Sequence, residues 1–318
     1  HLMTAPYFNQ RRYVETEGLT SVGVDGFFIG RAIKPGFGVT REFGISPNLI
    51  TNLGLNALGS ANADFTRMLL GTGTTSPAFT DTALTNFGVN VVNSSPSLTR
   101  SIQSSSPYYV EIKSTWTSSV GGATGTWTEI GISNQNTNGN LRSHALILDG
   151  GGSPTSFPVL SDEQFQGVYI FRFYMPVVDN PASINLSGTP YSTTTRSLAV
   201  TSLNKTAGWW PTLDTPFLAR LDGAAVYTGG LSAITATAPG GSYLGAPGFG
   251  GITTAAYTND NFYRDSSYRW GSGSGVGTVR SLMCQTGCGQ FQVEYDPSFT
   301  KLTTEEFIHN QRFAWARR

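Results

Sequence analysis

A two-residue period is the feature that most limits what this chain can become. Across 109–116, Tyr109, Glu111, Lys113 and Thr115 alternate with Val110, Ile112, Ser114 and Trp116. Successive side chains of a strand point to opposite faces, so this pattern predicts a strand with one face in a core. The same alternation recurs at 126–132, and at Phe291, Val293 and Tyr295 between Gln290, Gln292 and Glu294. Residues 168–178 are apolar on both faces at several positions, which predicts a strand central in its sheet. Gly121-Gly122-Ala123-Thr124-Gly125 fits a hairpin loop between two of these runs, and Asp149-Gly150-Gly151-Gly152 fits a turn. Regular strands with Gly and Asn turns predict a mainly β chain, an antiparallel β-sandwich.

Helical signal is confined to one place. Ser46-Pro47 offers a cap and a first-turn proline, and Leu49, Ile50, Leu53, Leu55 and Leu58 follow helical spacing up to Gly59. One short helix is expected at 47–58, and 80–84 has the form of a single helical turn. Residues 305–315 carry both signals. Thr303-x-x-Glu306 matches a capping box, yet Phe307, His309, Gln311, Phe313 and Trp315 alternate; the aromatic content favours a strand. Three segments follow. Residues 4–45 alternate polar and apolar and carry seven glycines, which predicts short strands and turns or an extended arm, and they are expected as an N-terminal arm or docking segment. Residues 46–179 with 278–318 are expected as the sandwich. Residues 180–277, with six glycines between 240 and 251 alone, are expected as a loop-rich insertion.

Composition narrows the function classes. Only 13% of residues are charged, and 20 basic residues balance 20 acidic ones. A typical soluble domain carries about 25% charged residues. The balance gives no general attraction to nucleic acid. The 12% aromatic content supplies a core that disordered chains lack. Low charge requires either a surface buried against other subunits or one kept wet by hydroxyls and amides. No apolar run approaches the roughly 20 residues of a membrane helix, so no membrane insertion is expected. His1-Leu2 ahead of Met3 reads as a cloning scar, and no signal-peptide form follows.

The residue types of catalysis do not assemble into a known pattern. P-loop, nucleophile-elbow and H-E-x-x-H motifs are missing, and Gly71-Thr72-Gly73 lacks the third glycine of a dinucleotide fingerprint. Only His144 and His309 could serve as internal bases; each sits in a strand pattern and is expected to be structural. Asp162 and Glu163 are neighbours that on a strand would point apart, so they cannot flank one glycosidic bond; a solvated turn is expected. Asn259-Asp260-Asn261 with Asp265 lacks the Gly and terminal Glu of a calcium loop. Cys284 and Cys288 are too few for a disulfide framework; reduced thiols are favoured over a local clip or part of a zinc site. No catalytic residue, metal or cofactor is expected.

The insertion concentrates aromatic residues. Trp209-Trp210-Pro211 is its most unusual apolar feature, and Tyr257, Phe262, Tyr263, Tyr268 and Trp270 interleave with Arg264 and Arg269. They either fill a small core or contact a subunit or a glycan, with Trp209, Trp210, Tyr263 and Trp270 as the candidate contacts.

The order of several motifs resembles the virion proteins of tailed bacteriophages, such as tail, tail-fibre and other appendage proteins. It begins with Asn48-Leu49-Ile50-Thr51-Asn52-x-Gly54-Leu55-Asn56-Ala57-Leu58. Gly71-Thr72-Gly73-Thr74-Thr75-x-Pro77 and Thr80-Asp81-Thr82-Ala83-Leu84 follow. The likeness continues through 124–132, 142–148 and 159–164, and closes on Phe313-Ala314-Trp315-Ala316-Arg317. It covers about 40–175 and the last forty residues, not 180–277. The resemblance implies a non-enzymatic structural component of the virion, assembled as a homo-oligomer with copies of itself and other virion proteins. A host-surface glycan receptor module is the alternative it leaves open, and a polysaccharide depolymerase the third.

Overall fold

The computed structural model describes residues 13–60, 65–91, 96–186, 189–201, 221–248, 251–286 and 289–318. The fold is mainly β. The first half of the chain runs β1 (Tyr13–Lys34), β2 (Gly38–Pro47), β3 (Leu49–Ile50), α1 (Asn52–Gly59), β4 (Arg67–Gly71), β5 (Phe87–Asn90), β6 (Ser97–Gln103), β7 (Tyr109–Thr117), β8 (Gly125–Trp127), β9 (Glu129–Ser133), β10 (Leu141–Leu146) and β11 (Phe157–Val159). The second half runs β12 (Gln164–Tyr174), β13 (Asn180–Leu186), β14 (Thr189–Leu198), β15 (Leu221–Tyr227), β16 (Tyr243–Gly245), β17 (Ile252–Thr254), β18 (Tyr263–Trp270), β19 (Gly277–Thr286), β20 (Gln290–Lys301) and β21 (Glu306–Arg317).

The largest sheet has the order β17-β18-β21-β1-β12-β7-β6, with β2 paired to β1. Its pairings are antiparallel except β1 with β21, which run parallel from Tyr13↔Glu306 to Val24↔Arg317. A five-stranded sheet has the order β3-β10-β9-β4-β5, and a six-stranded one β13-β14-β20-β19-β15-β16. Strands β8 and β11 form a small ribbon. One apolar core joins the three large sheets. Phe65, just before β4, stacks on Tyr169 of β12 and meets Phe171 edge-on, which brings the five-stranded sheet to the largest one. Phe291 packs on Phe313, and Tyr295 and Phe299 on Phe307, which brings in the six-stranded sheet. At 109–116 Val110, Ile112, Ser114 and Trp116 are buried as the pattern predicts and Lys113 is exposed, but Glu111 on the other face is buried too, held by Arg172. Residues 306–317 are a strand, as their aromatic alternation predicts.

Several local expectations need correction. Residues 13–34, within the stretch read as an arm, form a 22-residue strand between β12 and β21. Its glycines are not turns. A Cβ at Gly30 would overlap the Phe43 ring, and one at Gly18 the Gln311 side chain, so these glycines admit close neighbours. The helix starts later than Pro47, because 38–47 pairs with β1 as far as Phe27↔Pro47. Thr51 is the cap: its hydroxyl accepts from the Gly54 N–H at 3.0 Å. Residues 80–84 are not helical; Asp81 instead accepts from the Ala78 N–H. The 121–125 loop links strands of different sheets rather than a hairpin, since β7 pairs β12 and β6 while β8 pairs β11. The segment read as loop-rich contributes β13 to β18, which pair with one another and with β19, β20 and β21 that follow it.

Candidate functional site

The motifs that carry the resemblance converge on one buried charge cluster. Gly71 ends β4 and Gly73 follows it, Asp81 and Thr85 lie in the next loop, Glu129 opens β9, and His144 is in β10. Glu129 is fully buried. Its Oε1 accepts from the Gly73 and Asn86 N–H groups at 2.9 and 2.8 Å. Its Oε2 accepts from the Thr85 N–H at 3.0 Å and from His144 Nε2 at 2.9 Å. A carboxylate offers about four lone-pair sites, so its capacity is filled. His144, also buried, donates from Nδ1 to Asp81 Oδ2 at 2.7 Å. Two carboxylates facing one ring favour a proton on each nitrogen, so the site stabilises the imidazolium form of His144.

The electrostatics agree. Burial works against the charge of Glu129, but His144 and the Asn86, Thr85 and Gly73 N–H groups overcome it and hold the carboxyl at about 2. Burial likewise opposes the His144 charge, and Glu129 and Asp81 raise its pKa nonetheless. A Cβ at Gly71 or Gly73 would press on the Glu129 side chain, which explains the two glycines flanking Thr72. Both ring nitrogens are taken up by Glu129 and Asp81, which leaves neither aimed at a substrate as general-base chemistry needs. The cluster clamps the 71–86 loop to β9 and β10.

His309 is buried in the opposite state. Tyr295 O–H donates to its Nδ1 at 3.0 Å, and its Nε2 donates to Gln311 Oε1 at 2.9 Å. Burial pushes its pKa down to about 4 against the Gln311 bond, so the ring is neutral at pH 7. Both internal histidines therefore sit inside hydrogen-bond networks, as structural residues would.

The surface offers a different kind of site. A groove of about 760 Å³ lies on the outward face of β18 and β21, with Leu19 of β1 and Ala182, Ser183 and Ile184 of β13 along it. Strand parity and register set its floor: Asp265 opposes Arg312, and Ser267 opposes Asn310. Arg312 grips Asp265 with two bonds, Nε to Oδ1 at 2.7 Å and a terminal nitrogen to Oδ2 at 2.8 Å. Its guanidinium also lies 3.7 Å above the centre of the Tyr263 ring. Both charged side chains are nearly half exposed.

The candidate contacts separate. Tyr263 supports the groove through Arg312. Trp270 does not reach any surface: it is fully buried, stacks on Phe307 at 4.9 Å and donates Nε1–H to the Gly245 carbonyl. Its place follows from parity, since residues of β18 two apart share a face and Tyr268 is buried beside it. Trp209 and Trp210 lie outside the described residues. Glu163 is not solvated as expected. It is buried and takes Thr40, Arg41 and the Leu160 N–H, while Asp162 pairs with Lys34 at the surface. Asp260 binds Asn56 and Asp265 binds Arg312, so the two carboxylates do not share a cation. Cys284 is buried in β19, and Cys288 lies outside the described residues. Among the described residues, no group of His, Cys, Asp and Glu is placed to hold a metal, and no helix is long and apolar enough to cross a membrane. Sequence reasoning identified the residues of the charge cluster one by one but not their meeting, because Asp81 and His144 are 63 residues apart. Comparison of the chain with protein families, with characterised proteins and with solved structures finds no match.

Proposed function

We propose that this chain is a non-enzymatic structural component of a tailed-phage particle, in the tail, neck or a fibre appendage, acting through contacts with copies of itself and other virion proteins. The observation that carries this reading is a stapled apolar end on a weakly charged chain. Phe37, at the tip of the β1–β2 hairpin, is 80% exposed. Val39, Val120 and Leu160 are exposed on segments joined to that hairpin. The joints are the Glu163 bonds to Thr40 and Arg41, the Lys34–Asp162 pair at 2.6 Å and the Gly121 N–H to the Glu163 carbonyl. Exposed apolar groups held on rigid backbone cost little ordering entropy when a partner covers them. The motif order supports the phage assignment, and the low charge supports a life in contact with neighbours. Cryo-electron micrographs of a particle carrying this chain test the reading. Density for repeated copies on the tail or neck is the expected result, and particles from which the chain is missing would refute it.

A further inference from the structure

We propose that Asn138-Gly139 is a site of spontaneous covalent modification, at which loss of ammonia replaces the Asn138 amide by a carboxylate and unfastens the 72–86 loop. The inference does not rest on the assembly reading. Asn138 is exposed in the connection between β9 and β10. Both polar atoms of its amide are spent on one neighbour. Its Oδ1 accepts from the Leu84 N–H at 2.7 Å, and its Nδ2 donates to the Leu84 carbonyl at 2.9 Å. A side chain must both donate and accept to match a peptide unit in this way, which an amide does and a carboxylate does not. Leu84 is buried with Leu69 and Leu141. It lies between Asp81 and Thr85, two points at which the charge cluster holds the same loop. Asn138 is thus a further anchor of that loop, and it is open to solvent.

Gly139 is the second observation, because nothing in the fold calls for a glycine there. Its φ lies outside the left-handed region, and a Cβ would meet only Oε1 of the exposed Gln135, at 3.4 Å. Gly131 of β9 is the contrast: a Cβ there would meet Leu141 at 2.6 Å and the Ser143 carbonyl oxygen at 2.8 Å. What the missing side chain does supply is an unshielded backbone nitrogen next to the Asn138 amide carbon. The reaction needs no partner but water. Hydroxide takes the Gly139 amide proton, and that nitrogen attacks Asn138 Cγ. The new N–Cγ bond forms, the Cγ–Nδ2 bond breaks, and Nδ2 leaves as ammonia with a proton from water. Water then opens the imide ring. Cleavage at Cγ gives aspartate, and cleavage at the main-chain carbonyl gives isoaspartate. Both products lose the N–H donor to the Leu84 carbonyl and add a negative charge, so the anchor opens. The amide must leave Leu84 before it can turn onto the Gly139 nitrogen, so the charge cluster that holds the loop restrains the reaction.

The test is peptide mapping by mass spectrometry of the full chain held at pH 7 and at pH 9, with isoaspartate read by enzymatic methyl transfer. Asn138 should gain the mass of –OH in place of –NH2, faster at pH 9. Asn134, Asn136 and Asn140, which precede Gln135, Thr137 and Leu141, should stay amides over the same period. Gly139→Ala should slow the conversion by about tenfold or more. Glu129→Gln, which loosens the loop, should speed it, and Asp81→Asn provides the same test from the other side of His144 if Glu129→Gln does not fold. Asn138→Asp, which reproduces one product, should quicken hydrogen exchange of the Leu141 N–H, bonded to the Thr82 carbonyl, by about tenfold. Circular dichroism confirms that each variant is folded. The proposal is overturned if Asn138 is unchanged at pH 9 after it has converted in the urea-unfolded chain, or if Gly139→Ala converts as fast as wild type. It is also overturned if neither cluster variant changes the rate, or if Leu141 exchanges in Asn138→Asp as it does in wild type.

Discussion

Replacing Glu129 by Gln removes a charge from the buried cluster while keeping its shape. The carboxyl is held at about 2 in the fold, against an ordinary value of 4.5. At about 1.4 kcal/mol per pKa unit, that difference contributes about 3 kcal/mol of stability at neutral pH. The sign follows from the depressed folded value. The contribution is complete above 4.5 and is lost as pH falls through 2. Glu129→Gln should therefore cost about 3 kcal/mol at pH 7, and about half of that at pH 3, where the wild-type chain has itself lost part of the benefit. At about 2.1 cal/mol/K of unfolding entropy per residue, the loss corresponds to a fall of about 5 °C in Tm at pH 7. Differential scanning calorimetry of both chains between pH 3 and 7 measures it. A variant within about 0.5 kcal/mol of wild type at pH 7, the range of an ordinary surface change, would refute the clamp. So would a gap that does not narrow in acid.

His309, held neutral with a pKa near 4, gives a second window: stability should fall by about 3 kcal/mol as pH drops from 7.5 to 4, and His309→Phe should flatten that slope in urea titrations. His144 acts in the other direction, because its raised pKa adds stability that is complete below 6.5 and declines as pH climbs through its folded value; NMR should show its ring titrating above the ordinary 6.5. Gly54→Ala places a methyl group on the Arg142 carbonyl oxygen, where α1 lies against β10, and should cost about 1–3 kcal/mol by chemical denaturation. Trp270→Ala should cost about 3–5 kcal/mol by chemical denaturation.

Period-two alternation made β7, β12, β20 and β21 legible, because each buries one or both faces and writes that burial into its sequence. Strand β1 was half legible: its alternation predicted short strands, but its glycines hid that they form one. Gly18, Gly26 and Gly30 read as turns, but they make room for Gln311, Asn48 and Phe43, neighbours that only the folded sheet brings near. The helix was legible from its leucines, while its start was set by the pairing of Pro47 with Phe27 rather than by the Ser46-Pro47 signal. Strands β13 to β18 carry Ser, Thr and Gly where an apolar face would have announced them, so partners rather than local preference define them. The charge cluster and the groove were illegible for a related reason. Asp81 meets His144, and Asp265 meets Arg312, only because of register and loop path across the sheets.

The central claim, that this chain works by assembly, is tested most directly by its mass in solution. Multi-angle light scattering of the full chain should give a defined multiple of the monomer mass, reduced towards the monomer by Phe37→Asp at the exposed hairpin tip. A strictly monomeric chain at the highest attainable concentration would contradict it.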